Sequence, residues 1–167
     1  GSESDATKAI ELNPYIEQIF DLRAISRIRQ EKYHDAVSDY DRAIRLNPSV
    51  SSFWVNRAIC RMNLQEFDQA LLDADTIIKR WSNISTAYSL KAEVYLEKKD
   101  TTQADHWLSQ SLGINPYNAD AWTTRSYIAL NRKQWHTADT CLGKAIHLRP
   151  KVVNNYVNRA LARLNTN

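Results

Sequence analysis

The four prolines of this chain all occupy one phase of a 34-residue period. Pro14 and Pro48 are 34 residues apart, Pro116 follows after two further periods, and Pro150 follows after one more. The stretch DYDRAIRLNP, which ends at Pro48, is matched at its small, apolar and Asn-Pro positions in the opening residues of the chain. Ser82 stands in the one slot where a proline is missing. A fixed interval of this length is typical of a repeat array.

The repeat register divides the chain into units of equal length. Because such a unit cannot cover its own apolar face, we expect the units to stack into one continuous array. A sequence that starts and stops inside a repeat is typical of a piece of a longer array. The register predicts a single array fragment over residues 1–167, with a partial repeat over 3–16, full repeats over 17–50, 51–84, 85–118 and 119–152, and the first helix of a further repeat over 153–167.

Each unit contains two amphipathic segments. Apolar residues recur at spacings of three and four, as in Trp54, Ile59 and Met62, which is the spacing of one helix face. Only three glycines and four prolines occur in 167 residues, which favours uninterrupted helices. The pattern predicts first helices at about 17–30, 51–64, 85–98, 119–132 and 153–165, and second helices at about 34–46, 68–80, 102–114 and 136–148.

Large and small residues form separate columns in this register. A ring on one helix needs a nearly bare backbone opposite it, so an aromatic column and an alanine column predict closely packed helix pairs. We therefore assign both columns a structural role. The fourth position holds Phe20, Trp54, Tyr88, Trp122 and Tyr156. The twentieth position holds Ala36, Ala70, Ala104 and Ala138.

These columns, together with the prolines and with Tyr33, Phe67 and Trp135 in the turns, resemble the tetratricopeptide repeat (TPR) family. The resemblance covers essentially the whole chain. The sequence departs from the family pattern where alanine or serine replaces glycine, and at the end of the second full repeat, where Trp-Ser replaces Asn-Pro. The resemblance implies an all-α fold, a right-handed α-solenoid (superhelix) of antiparallel helix hairpins, with a concave groove lined by the first helices.

A basic residue fills the seventh position of every unit, next to the small residue of the helix seam. Asp39 and Asp73 on second helices are the expected acceptors, because a buried guanidinium without a partner costs about 3–5 kcal/mol. In the third and fourth repeats the acid lies two positions earlier, at Asp105 and Asp139, so a different pairing is expected there. We assign the column a structural role, with ligand anchoring as the alternative. Its members are Arg23, Arg57, Lys91, Arg125 and Arg159.

The positions that line the groove in the resembling family carry several asparagines here. One asparagine amide can accept from a backbone N–H and donate to a backbone C=O, so it suits an extended peptide of any sequence. Exposed asparagine is also ordinary solvated surface, and both interpretations remain open. The predicted groove residues are Asn56, Asn63, Asn131 and Asn158, with Thr124 among them and with Ile25, Ile59 and Tyr127 as apolar contacts.

Composition and motifs exclude several classes of function. The net charge of +3 is small and dispersed, so no nucleic-acid partner is expected. We find no apolar run of membrane-spanning length, no phosphate loop, no nucleophile motif and no metal-ligand spacing, so we expect no membrane span, catalytic residue, metal or cofactor. Cys60 and Cys141 lie in different phases, which disfavours a disulfide. Gly1 and Ser2 are typical of a cloning scar, so a targeting segment can lie outside this sequence and the compartment stays open.

The leading hypothesis is a non-enzymatic protein-interaction module that binds an extended peptide or a partner helix in its groove. The alternative is a structural spacer that self-associates through the exposed ends of the array. An RNA-binding helical array is a less favoured third hypothesis, because the net charge is modest. The family's carboxylate clamp for chaperone tails is not expected, since Asp21, Glu93 and Asp120 stand among the equivalent positions.

Overall fold

The computed structural model describes residues 1–166, and their regular structure is entirely α-helical. The helices are joined by short turns, as expected for stacked hairpins. Their bounds are α1 Ser2–Leu12, α2 Glu17–Ile28, α3 Tyr33–Leu46, α4 Ser51–Asn63, α5 Phe67–Arg80, α6 Ser85–Glu97, α7 Thr101–Ile114, α8 Ala119–Asn131, α9 Trp135–Leu148 and α10 Val153–Leu164.

The helices follow the 34-residue period. Helices α2, α4, α6, α8 and α10 begin 34 residues apart, and so do α3, α5, α7 and α9. The predicted ends of these helices agree with the observed ends to within two residues. The predicted fold class, an all-α array of 34-residue helix hairpins, is confirmed.

The turn inside each full hairpin has the same backbone geometry. The Lys32 N–H donates to Arg27 O, and the Glu31 N–H donates to Ile28 O, both at 2.9 Å. Equivalent bonds close the other three turns, so each first helix ends in a Schellman motif. This motif needs one residue in the left-handed region, and the chain uses long polar residues there. They are Glu31, Gln65, Lys99 and Lys133, with φ of 59°, 60°, 62° and 56°.

The aromatic fourth position is connected to the proline that precedes it. Trp54 Nε1 donates to Pro48 O at 3.2 Å, and Trp122 Nε1 donates to Pro116 O at 2.8 Å. At the last proline, the Tyr156 hydroxyl donates to the carbonyl oxygen of residue 150 at 2.9 Å. Proline cannot continue the preceding helix, and its carbonyl fixes the start of the next one. The bond accounts for the polar aromatic ring after three of the four prolines, whereas Phe20, which follows Pro14, has no polar atom to donate.

The chain forms two compact units, which we call unit 1 (Gly1–Ser82) and unit 2 (Asn83–Asn167). The boundary coincides with Ser82, the slot where the proline is missing. In both units the alanine column is buried, with exposed fractions of 0–1%. The core of unit 1 includes Phe20, Ala24, Ala36, Tyr40 and Phe53. The core of unit 2 includes Ala92, Ala104, Leu108, Ala121 and Ile128.

Candidate functional site

Helix α4 carries three of the predicted groove residues of unit 1 on one face. Asn56, Ile59 and Asn63 are spaced by three and four, so their side chains lie along one side of the helix. Ile59 and Asn63 are exposed, and Asn63 Nδ2 donates to Ile59 O at 2.8 Å. Ile25 lies on α2, half-buried, in the wall of a cavity between α1 and α2. We call Asn56, Ile59 and Asn63 the α4 groove face.

A polar cluster that the sequence analysis did not predict lies beside Asn56. Tyr40 of α3 is fully buried, and its hydroxyl is close to the Asp21 carboxyl and to the Asn56 amide. Tyr40 Oη and Asp21 Oδ1 are both shielded from solvent. The hydroxyl interacts with the Asp21 carboxyl and with the Asn56 amide, as buried polar groups normally do. The cluster therefore places three interacting polar groups next to the α4 groove face.

The electrostatics of the cluster follow from its burial. Desolvation raises the pKa of the Asp21 carboxyl, and the nearby Tyr40 hydroxyl offsets only part of that effect. Desolvation also raises the pKa of the Tyr40 hydroxyl, and the charge of Asp21 adds to the shift. A hydrogen-bond donor that reached Asp21 would relieve the cost of keeping this carboxylate charged.

In unit 2, helix α8 carries the corresponding face. Thr124, Tyr127 and Asn131 are again spaced by three and four. The Thr124 hydroxyl donates to Asp120 O at 3.0 Å, so its proton is used within the helix. Tyr127 and Asn131 are exposed, and Asn158 lies half-buried on α10. We call Thr124, Tyr127 and Asn131 the α8 groove face.

Unit 2 also holds a carboxyl group without a cationic partner. Glu93 is half-buried on α6, and no described residue forms a hydrogen bond or an ion pair with its carboxyl group. Desolvation raises the pKa of this carboxyl, and the charge of Asp120 raises it further. Asp120 itself is paired with Arg149 at 2.5 Å. Glu93 and Asp120 are two of the acids that stand among the positions equivalent to a carboxylate clamp.

The basic column of unit 1 lies in buried ion pairs. Asp39, with 2% exposure, accepts from Arg23 at 2.6 Å and from Arg27 at 2.8 Å. The second full repeat has the same arrangement. There Asp73 accepts from Arg57 at 2.5 Å and from the arginine of the eleventh position at 2.7 Å. Each buried carboxylate therefore joins two guanidinium groups of its own hairpin.

The basic column of unit 2 uses acids at another position. Arg125 pairs with Asp105 at 3.2 Å, and Arg159 Nε donates to Asp139 at 2.7 Å. Lys91 is buried, with its ammonium nitrogen 3.8 Å from the centroid of the Trp107 ring. The pairs with Asp105 and Asp139 are more exposed than those of unit 1.

The aromatic column differs in burial along the chain. Phe20 and Tyr88 are buried, whereas Trp54 and Trp122 are half-buried. A cationic side chain covers each tryptophan ring, with Arg57 over Trp54 at 4.9 Å and a lysine over Trp122 at 3.9 Å. Tyr156 on α10 is 47% exposed.

The structure of residues 1–166 also bears on metal binding, cysteine pairing and membrane spans. No group of three or more His, Cys, Asp or Glu side chains is placed to hold a metal ion there. The two cysteines are buried and unpaired. Among the described helices, none has the length and apolarity needed to cross a membrane.

Comparisons with known proteins agree with this architecture. Family models of the tetratricopeptide repeat match residues 22–80 and 85–118, which together make up more than half of the chain. No curated protein sequence matches. Among solved structures, the thermophilic TPR protein TTC0263 of Thermus thermophilus aligns with a TM-score of 0.79 and 15% identity, over 97% of this chain and 89% of that chain.

Two further solved structures share the fold. A chain of the APC/C hetero-tetramer Cut9-Hcn1 aligns with a TM-score of 0.84 and 17% identity, over 98% of this chain and 33% of that chain. YrrB, described as a TPR protein with an unusual peptide-binding site, aligns with a TM-score of 0.67 and 14% identity, over 96% of this chain and 83% of that chain. The family models, supported by the shared fold of these structures, show that the chain belongs to the tetratricopeptide repeat family.

Proposed function

We propose that this chain is a non-enzymatic interaction module whose α4 groove face binds an extended peptide. TPR proteins are protein-interaction scaffolds in general, and the similar structure of YrrB is described as having a peptide-binding site. The observation that carries the proposal is the polar cluster beside Asn56. It brings the half-buried Asn56 amide next to a buried hydroxyl and a carboxyl group whose pKa is raised by desolvation.

A peptide main chain offers both donors and acceptors to this face. Its N–H groups can donate to the Asn56 carbonyl oxygen, and its C=O groups can accept from the Asn56 amide. Ile59 offers apolar contact one turn along the same face. Main-chain bonds of this kind give affinity with little dependence on peptide sequence, as in other modes of extended-peptide recognition. Within unit 2, the α8 groove face offers Asn131 and Tyr127 for contacts of the same kind.

The test is peptide selection followed by substitution. A displayed library of random peptides is selected for binding to the wild-type chain. The enriched peptides are then synthesised, and their affinity is measured by fluorescence anisotropy. Asn56→Ala should weaken binding by about tenfold, which corresponds to losing one or two hydrogen bonds of about 1 kcal/mol each. Gln69→Ala removes an exposed amide from the second helix α5 and should leave affinity unchanged.

The buried hydroxyl provides a sharper variant. Tyr40→Phe removes the hydroxyl that interacts with Asp21 and Asn56, so the free energy of unfolding should fall by about 1 kcal/mol. Peptide binding should also weaken, because the substitution removes a polar group from the cluster. Equal affinity of the selected peptides for wild type, Asn56→Ala and Tyr40→Phe would show that the peptides bind elsewhere.

A further inference from the structure

A cavity in unit 2 lies between helix α9 and the turn that precedes α8. Its volume is about 400 Å³, which is in the range of sites for small organic ligands. The lining comes from the turn at Pro116 and Tyr117, from Trp122 of α8 and from one face of α9. We propose that this cavity binds a small organic carboxylate, with the apolar part of the molecule against the Trp122 ring and the carboxylate on the Lys144 ammonium.

Two aromatic rings form the apolar part of the lining. The Trp122 indole is held in place, because its Nε1 donates to Pro116 O at 2.8 Å. The Tyr117 N–H donates to Asn115 Oδ1 at 3.0 Å, which fixes the turn that carries the exposed Tyr117 ring. The equivalent residue in unit 1 is Ser49, so this second ring is a feature of unit 2. A ring that is already fixed loses little conformational entropy on binding, so Trp122 is a preorganised contact.

The cation of the cavity is Lys144. Its ammonium nitrogen lies 3.9 Å from the centroid of the Trp122 ring, and it forms no hydrogen bond or ion pair with any described residue. Its N–H groups are therefore free to donate. His147 is exposed one turn along the same face and offers a further N–H. Among the described residues that line the cavity, none is acidic.

In unit 1 the equivalent space is taken by an arginine side chain. Arg80 stands at the position of Leu148, and its Nη1 donates to Pro48 O at 3.0 Å. The guanidinium carbon of Arg80 lies 5.8 Å from the centroid of the Trp54 ring. Leucine is shorter and has no donor, so it covers neither the proline carbonyl nor the ring in this way. The cavity thus corresponds to the space that an arginine fills in the other unit.

The charges around this space also differ between the two units. On α5 of unit 1 the equivalent face carries an acid, Asp75, together with Lys79 and Arg80. Unit 2 has Gly143 at the position of the acid, so the lining gives Lys144 no carboxylate. A ligand that brings a carboxylate would supply the missing partner, whereas a cationic ligand would be repelled by Lys144.

The size and charge of the cavity define the class of ligand. A carboxylate carries one negative charge, which one ammonium group balances, whereas a phosphate monoester carries about two. The rings and the cation line a single cavity, so one small molecule must carry both an apolar group and the carboxylate. The lining shares no residue with the α4 groove face or the α8 groove face. The proposal is therefore independent of peptide binding.

The test uses three probes of the same shape, namely phenylbutyrate, the neutral phenylbutyramide and the cationic phenylbutylamine. Amide and indole NMR spectra of the isotope-labelled chain report where each probe binds. Phenylbutyrate should shift the Trp122 indole signal and the Gly143 and Lys144 amide signals saturably, with a Kd of about 1 mM or below. Phenylbutyramide should bind about tenfold more weakly, because it loses the charge-assisted hydrogen bond. Phenylbutylamine should bind more weakly still.

Two variants divide the site into its charged and apolar parts. Lys144→Gln should weaken phenylbutyrate binding by about tenfold and leave phenylbutyramide binding unchanged. Leu148→Arg should abolish binding of both probes, and the fold should tolerate it because Arg80 occupies the equivalent position. Lys133→Gln is the charge-matched control in the turn before α9, where Gln65 stands in the second full repeat. This control should bind phenylbutyrate as the wild type does.

Several results would overturn the proposal. One is a wild-type chain that shows no saturable shift with phenylbutyrate up to about 10 mM, which is weaker than specific binding. Others are equal affinities for phenylbutyrate and phenylbutylamine, or signals that shift only at the α4 groove face. Unchanged phenylbutyrate binding by Lys144→Gln would also overturn it. This exposed substitution carries no risk to the fold, so it tests the site even if Leu148→Arg proves unstable in thermal melts.

Discussion

The substitution Asp73→Asn tests the buried ion pairs that join the helices of unit 1. The Asp73 side chain is 3% exposed and accepts from Arg57 and Arg61 at 2.5 and 2.7 Å. Asparagine keeps the shape and removes the charge, so two guanidinium groups lose their common carboxylate. Only Arg57 keeps a second acid, through its Nη1 bond to Asp41 at 2.6 Å.

The expected loss is a large part of the stability of unit 1. Removing one partner of a buried ion pair costs about 3–5 kcal/mol. A unit of 82 residues has a free energy of unfolding of about 4–12 kcal/mol at the usual stability per residue. Asp139→Asn is the matched control, because this carboxylate is 28% exposed and its arginines are partly solvated. An exposed pair contributes about 1 kcal/mol or less.

Urea titration followed by circular dichroism gives the free energies, and amide hydrogen exchange assigns the loss to a unit. Asp73→Asn should lower the protection of α4 and α5, while Asp139→Asn should leave it unchanged. Adding Arg61→Gln to Asp73→Asn removes one unpaired cation and should restore part of the stability. Equal, small losses for Asp73→Asn and Asp139→Asn would refute the claim that burial makes the unit 1 pairs important.

Substitutions at three further positions have defined outcomes. Glu93→Gln should raise the stability of unit 2 near pH 7, because the carboxyl pKa is raised in the folded state and charging Glu93 costs stability as pH rises. The gain should vanish below the unfolded-state pKa near 4.5, and a pH series of urea midpoints measures it. Lys133 has a positive φ of 56°, which glycine adopts without steric cost, so Lys133→Gly should be neutral or stabilising in thermal melts. Lys133→Val should lower the free energy of unfolding by about 1–2 kcal/mol. Trp54→Phe removes the bond to Pro48 O and should cost about 1 kcal/mol in urea titration, against about 3 kcal/mol or more for Trp54→Ala.

The helices could be predicted from the sequence because their signals are local and repeated. The proline phase and the alanine column become visible when the repeats are aligned, and four copies remove the ambiguity of a single one. The left-handed turn residues could not be identified by type, since Glu31 and Lys133 stand where glycine would be the usual choice. Their position was still implied, because the turn length was constant.

The candidate site was less predictable because it depends on distances between helices. Asn56 was identified by its register position, but the partners that make it notable, Asp21 and Tyr40, lie on two other helices. Nothing in the local pattern of Asp21 distinguishes it from solvated acid. The signal that can find such a group is its burial beside other polar side chains, which requires coordinates.

The alanine column and the charged positions of the helix pairs have separate physical roles. The alanine column is equally buried in both units, although the facing position is charged in unit 1 and holds Trp107 or Cys141 in unit 2. The spacing of the helices therefore depends on the small residues and on the shared turn, not on the ion pairs. The charges add a condition on which helix can face which, since an arginine at the eleventh position tolerates an aspartate opposite and not a tryptophan.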